Sequence, residues 1–173
     1  MHQLILLRHA KAARESAGLS DHDRPLLPEG RLAAAAIGAA MRKAGLSPDV
    51  VLVSSATRTQ ETLEELDAAD VWDERPNIDT LPALYMASSL QIRDAVKSLP
   101  ETVRSALVIG HNPGLHELAA ALAAPAPARA ELARLTEGFP TAALAEFLIP
   151  TAWHRLAPGT AALQRFLVPA GLG

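Results

Sequence analysis

The sequence predicts an α/β protein, a three-layer α/β/α sandwich around a central, mostly parallel sheet. Three observations predict it. Continuous apolar runs of strand length recur at Leu4-Ile5-Leu6-Leu7, Val50-Val51-Leu52-Val53 and Ala106-Leu107-Val108-Ile109, as expected of strands covered on both faces. Longer segments rich in helix formers separate these runs. Each run also ends in a polar cluster, and in open α/β sheets ligands bind just beyond the carboxyl ends of the strands.

The elements follow in order. The first run stops at Arg8-His9. Residues Glu29 to Ala44 then read as a helix, with Pro28 near its start and Gly45 just past its end. The second run leads into a helix over Thr57 to Ala69. A third helix over Ser88 to Leu99 is closed by Pro100, which cannot continue it. The third run is followed by a helix from Gly114 to Ala123, and Ala124-Pro125-Ala126-Pro127-Ala128 reads as a stiff connector. After Pro140, Ala142 to Ile149 and Leu163 to Val168 read as two late strands, with Pro158-Gly159 between them. No internal repeat is present, and the alanine clusters at 33–36 and 119–124 read as helical packing. The expected organisation is one domain over residues 1–173.

Composition sets further bounds. Hydrophobic residues make up 49% and charged residues 20% of 173, an ordinary globular balance. A net charge of −3 gives no support for nucleic-acid or anionic-membrane binding. The absence of cysteine excludes disulfides, thiolate zinc sites and cysteine nucleophiles, and fits a reducing compartment. The apolar run at Leu4–Leu7 is too short for a signal-peptide core or a membrane span, so a cytoplasmic protein is expected.

The polar clusters are Arg8-His9, Ser54-Ser55-Ala56-Thr57-Arg58 and Gly110-His111-Asn112-Pro113. Together they supply two guanidinium forks and two imidazoles to one sheet edge. That set suits an anion with several oxygens, and phosphate is the natural candidate. Other features carry less. His22 between Asp21 and Asp23 reads as a polar loop, and His116-Glu117 lacks the His-Glu-x-x-His zinc spacing. His2 and His154 carry no signal, Lys11 reads as an exposed loop residue, and Trp72 and Trp153 read as packing. No metal site and no cofactor are expected.

Leu7-Arg8-His9-Ala10 resembles the Arg-His-Gly signature of the histidine phosphatase superfamily. Ser54 to Thr62 resembles its second arginine motif, and Gly110-His111-Asn112-Pro113 its second histidine motif. The short SixA-like phosphohistidine phosphatases are the closer likeness, through Arg24-Pro25-Leu26 with Gly30, Leu84 to Ser88, Pro140 to Leu144, and Leu156-Ala157-Pro158-Gly159. The resemblance spans nearly the whole chain in order. It implies a phosphoglycerate mutase-like fold and a metal-independent phosphatase in which His9 becomes phosphohistidine, which water then hydrolyses. Arg8, Arg58 and His111 would bind the non-bridging oxygens, with Asn112 in the same binding set.

The sequence departs from that pattern in two places. Ala10 stands where glycine is commonest, and only a local backbone adjustment is expected. The glutamate that larger members use as general acid has no clear match. Tyr85, Asp21, Asp23 and Glu117 are the candidates, each of the carboxylates being better read as a solvated or capping group, and the acid stays unassigned. The chain has few residues left for a lid, so a shallow, open site is expected. Such a site admits a phosphorylated side chain of another protein, and the leaving imidazole of phosphohistidine is easier to expel than an alkoxide. Protein phosphohistidine is therefore the first substrate reading. A phosphatase of small phosphomonoesters or phosphoramidates is the alternative, and a non-catalytic phosphate- or phosphoprotein-binding module the third.

Overall fold

The computed structural model describes residues 1–126 and 129–171. Strands β1 (His2–Arg8), β2 (Val50–Ser54), β3 (Asn77–Leu81), β4 (Ser105–Gly110), β5 (Leu144–Ile149) and β6 (Ala162–Leu167) form one six-stranded sheet in the order β3-β2-β4-β1-β5-β6. The pairs β2–β3, β2–β4 and β1–β4 are parallel, and β5 is antiparallel to both of its neighbours. Only β5 therefore runs against the rest, and the sheet is mostly parallel as predicted.

Helices α1 (Pro28–Lys43) and α2 (Thr57–Ala68) cover one face, and α3 (Ser89–Lys97), α4 (Gly114–Leu122) and α5 (Ala130–Glu137) cover the other. The strand period of two explains how one strand feeds both cores. Leu4 and Leu6 pack with Ile92, Val96, Leu115 and Leu118, whereas Ile5 and Leu7 pack with Ile37, Met41, Leu63 and Leu66. Both sets are buried, so a run without polar alternation is what this position demands.

Two elements, β3 and α5, were left unassigned by the sequence. β3 is an edge strand whose side chains are mostly exposed, so its Asn, Asp and Thr residues hide the strand signal. α5 is only eight residues long, and it turns Leu132 and Leu135 toward the core. The predicted strand from Ala142 begins instead at Leu144. Ala142 sits in the left-handed region at φ 60° and donates its N–H to the carbonyls of Arg8 and His9, which makes it a turn beside the exit of β1. Of the expected connector at 124–128, Pro127 and Ala128 lie outside the described residues, and Ala124 donates to the Ala161 carbonyl. Among the described residues, no helix is long and apolar enough to cross a membrane.

Candidate active site

Three neighbouring strands end at one edge of the sheet, and each delivers part of a single cluster. The parallel register pairs Arg8 with Gly110, so the next residue of each strand, His9 and His111, leaves the sheet side by side. Their ring centroids lie 5.4 Å apart. β2, on the other side of β4, ends at Ser54, and α2 begins at Thr57, which places Arg58 in the first turn of that helix. The cluster is more enclosed than the open site expected from chain length. His9 is 8%, Arg58 2% and His111 1% exposed.

Two loops cause that enclosure. The chain from Ala10 to Leu27 carries Asp21 and His22 over the cluster, and the segment after β3 carries Tyr85 and Met86. Gly114 permits the second approach: a Cβ there would meet the Ala87 carbonyl oxygen at 2.0 Å, so only glycine lets α4 pass beneath this loop. The Tyr85 ring then stands edge-on to His111 at 5.5 Å, and the Arg58 guanidinium lies 5.8 Å from its centroid, within cation–π range. Met86 is half exposed, with its sulfur 3.7 Å from Arg58 Nη2, and its φ of 49° costs about 1–2 kcal/mol that the surrounding contacts must offset. Gly30 plays the matching part on the other side, where a Cβ would lie 2.1 Å from the Lys11 carbonyl.

The hydrogen bonds fix the chemical state of His9. Its Nδ1 lies 2.7 Å from the Ala10 carbonyl, which can only accept, so Nδ1 carries the proton and Nε2 keeps its lone pair. Burial, followed by the charges of Arg58, Arg8 and Arg24, pushes the imidazole down to about 4 despite that bond. His9 is thus neutral across the physiological range. The same forces, burial first and then Arg58, push His111 down to about 3. Ala10 is buried and takes no positive φ, so alanine fits where the family motif has glycine. Its N–H donates to Thr62 Oγ1 at 3.0 Å, and the Thr62 hydroxyl donates in turn to the Arg58 carbonyl at 2.7 Å. Thr62 thereby ties the histidine turn to the arginine helix.

Asp21 corrects the reading of it as a solvated loop or capping group. Its carboxylate accepts from Arg58 Nη2 at 3.2 Å, from Arg24 Nε at 3.0 Å and from the Tyr85 hydroxyl, while its carbonyl accepts from Arg58 Nη1 at 2.8 Å. The Tyr85 bond, then Arg58 and Arg24, hold the Asp21 carboxyl down to about 2. The bond to Asp21 raises Tyr85 above its ordinary value. Neither group is therefore placed to release a proton near neutrality. Asp23 and Glu117 are exposed, and the half-buried His22 contacts Ser55 Oγ at 3.0 Å. Asn112, expected in the binding set, has its side chain engaged within the fold. Its amide donates to the Phe139 carbonyl at 2.8 Å and accepts from the His116 N–H at 3.2 Å, which brackets the start of α4 to the segment before β5. Arg8 Nη1 donates to the same Phe139 carbonyl at 3.1 Å.

Three nitrogens in the cluster, Arg8 Nε, Arg58 Nε and His111 Nδ1, are buried without a hydrogen-bond partner among the described residues. Buried polar groups are nearly always paired, so three unpaired nitrogens on side chains gathered at one sheet edge are a set that an anion's oxygens could satisfy. Among the described residues, no group of three or more His, Asp or Glu side chains is disposed to hold a metal ion. Sequence reasoning overlooked the parts played by Ser54, Thr62 and Asp21. Ser54 and Thr62 lie inside a recognised motif, but only the fold reveals what they touch. The one local signal for Asp21 was its i,i+3 spacing to Arg24.

The family model described as histidine phosphatase superfamily (branch 1) matches residues 4–83. An uncharacterized protein of Mycobacterium tuberculosis is 36% identical over 166 residues, covering 94% of this chain and 99% of that protein. A solved structure from Nakamurella multipartitia, described as a candidate phosphohistidine phosphatase SixA, is 29% identical with a TM-score of 0.84, over 97% of this chain and 96% of that one. The protein histidine phosphatase SixA complexed with tungstate is 26% identical with a TM-score of 0.78, over 99% of each chain. The sheet and its helices share the phosphoglycerate mutase-like architecture of these neighbours.

Proposed function

The chain belongs to the histidine phosphatase superfamily, and from that premise we propose that it hydrolyses protein-borne phosphohistidine through a phosphoryl group carried on His9. The observation that carries this reading is the state of His9: neutral, with Nδ1 committed to a carbonyl and Nε2 free, beside two guanidinium groups. In the first step the Nε2 lone pair attacks phosphorus and the bond from phosphorus to the leaving imidazole breaks. That imidazole departs neutral once solvent has protonated its distal nitrogen. In the second step water attacks the phosphohistidine, the P–Nε2 bond breaks, and the electron pair returns to His9 as phosphate leaves. Arg8, Arg58 and His111 hold the non-bridging oxygens and stabilise the charge of both transition states.

The choice of phosphohistidine rests on the acid. With Asp21 ionised and Tyr85 retaining its proton, the site offers no ready donor to an alkoxide. A protonatable imidazole needs none. The likeness to structures described as phosphohistidine phosphatases supports the same choice. The test compares kcat/KM for a phosphohistidine peptide with that for a panel of phosphorylated metabolites, with and without EDTA, and traps the phosphoenzyme by rapid quenching. The expected result is preference for the peptide, no effect of EDTA, and an acid-labile, base-stable phosphate that His9→Ala abolishes. Faster turnover of a phosphomonoester, or a trapped phosphate on another residue, would overturn the proposal.

A further inference from the structure

His111 is flanked by a hydroxyl whose proton has one place to go. Ser54 is fully buried, and its Oγ lies 2.7 Å from His111 Nε2. The same oxygen accepts the Ala56 N–H at 3.3 Å, a partner that can give a hydrogen but not take one. A serine hydroxyl carries one proton and two lone pairs. Among the described residues, the acceptor within reach of that proton is the Nε2 lone pair of His111.

Two arrangements of a neutral His111 therefore compete. If Nε2 held the proton it would donate to Ser54, the buried serine proton would be orphaned, and Nδ1 would present a lone pair. If Ser54 donates to Nε2, its proton is satisfied and Nδ1 carries the hydrogen. Each arrangement leaves one buried donor waiting for a partner, the serine hydroxyl in the first and the Nδ1 N–H in the second. The first leaves the Nδ1 lone pair unpaired as well, and only the second can be completed by a phosphate oxygen. The backbone around Ser54 is held to aim the hydroxyl. Its carbonyl accepts from Thr59 Oγ1 at 2.8 Å and Gln60 Nε2 at 2.9 Å.

We propose that Ser54 is a positioning residue that sets the tautomer of His111, so that the buried, unpartnered Nδ1 offers the phosphoryl group a donor rather than a lone pair. The inference rests on the reading of His111 as an oxygen binder and adds how the protein makes it one. A lone pair at Nδ1 would repel a phosphate oxygen, and the ring would oppose the anion it is placed to hold.

The test uses the full chain with 15N-labelled histidine, long-range 1H–15N correlation spectra to read each tautomer, and calorimetric titration with inorganic phosphate. The wild type should show the proton on Nδ1 of His111. Ser54→Ala should move His111 toward the Nε2 form, leave His9 protonated on Nδ1, and weaken phosphate binding about tenfold. Ser54→Thr, which keeps the hydroxyl, should restore both. A wild-type His111 protonated on Nε2 overturns the proposal, and so does phosphate binding that Ser54→Ala leaves unchanged. The wild-type spectrum decides the matter even if Ser54→Ala fails to fold. A wild type with the expected tautomer that binds no phosphate would instead sink the phosphatase reading of the site.

Discussion

Acidifying the protein from about pH 7 to about pH 5 removes stability through two buried imidazoles. His9 is held at about 4 and His111 at about 3, against an ordinary 6.5, first by burial and then by the neighbouring cations. Both folded values are depressed, so the unfolded chain takes up protons as pH falls through 6.5 while the folded protein does not. Stability present above 6.5 is therefore lost on the way down, until each ring protonates in the fold. Between 6.5 and 5 each histidine costs 1.5 pH units at about 1.4 kcal/mol per unit, roughly 2 kcal/mol, and the pair roughly 4 kcal/mol. Against a typical total of about 5–15 kcal/mol this is a large fraction. Asp21 contributes nothing to that window. Its folded value of about 2 lies below the ordinary 3.8, so its stabilisation is lost only as pH falls further, toward 2. The assay is urea unfolding at about pH 7, 6 and 5 in buffer free of phosphate and sulfate, since an anion bound to the fold would add stability of its own. The wild type should lose about 4 kcal/mol through these two groups, and His9→Gln about 2 kcal/mol less than the wild type over the same interval. Parallel pH profiles for the two proteins would refute the claim that His9 is held neutral by burial.

Two further outcomes follow from the geometry. Arg58→Met keeps the volume of a buried side chain but removes the guanidinium. It should lower kcat/KM about 10²–10³-fold, in line with loss of one oriented oxyanion donor, while raising the apparent pKa of His9 and His111. Retention of activity within threefold would exclude Arg58 from the transition state. Gly114→Ala puts a methyl group against the Ala87 carbonyl and should displace the Tyr85–Met86 loop, costing about 1–3 kcal/mol on denaturant unfolding along with much of kcat/KM. Unchanged stability and activity would show that the loop accommodates the methyl group freely.

The layer order and the edge that carries the site were legible in the sequence, because both follow from local pattern. Leu4 to Leu7, Val50 to Val53 and Ala106 to Ile109 lack polar residues since their alternate side chains enter two different cores. A strand so buried must end in its first polar residue, and the polar residues that follow these three strands are the arginine and histidine clusters. The motif resemblance then names Arg8, His9, Arg58 and His111. β3 was not legible because its mostly exposed residues hide the strand signal, whereas α5, with Leu132 and Leu135 at helical spacing, is only eight residues long and was left unassigned.

What only the tertiary structure decided is the state of those side chains. The sequence places Ser54 in a motif and Asp21 on a loop. The contact of Ser54 with His111 spans 57 positions, and that of Asp21 with Tyr85 spans 64. Nothing local encodes either contact, since both arise when β2 and β4 lie adjacent and when two loops meet over the sheet edge. The same holds for Asn112, whose bonds to the Phe139 carbonyl and the His116 N–H no motif announces. A sequence pattern records which side chains a sheet edge receives. Their proton positions, partners and titration depend on burial and on charges brought from distant parts of the chain, and these exist only once it has folded.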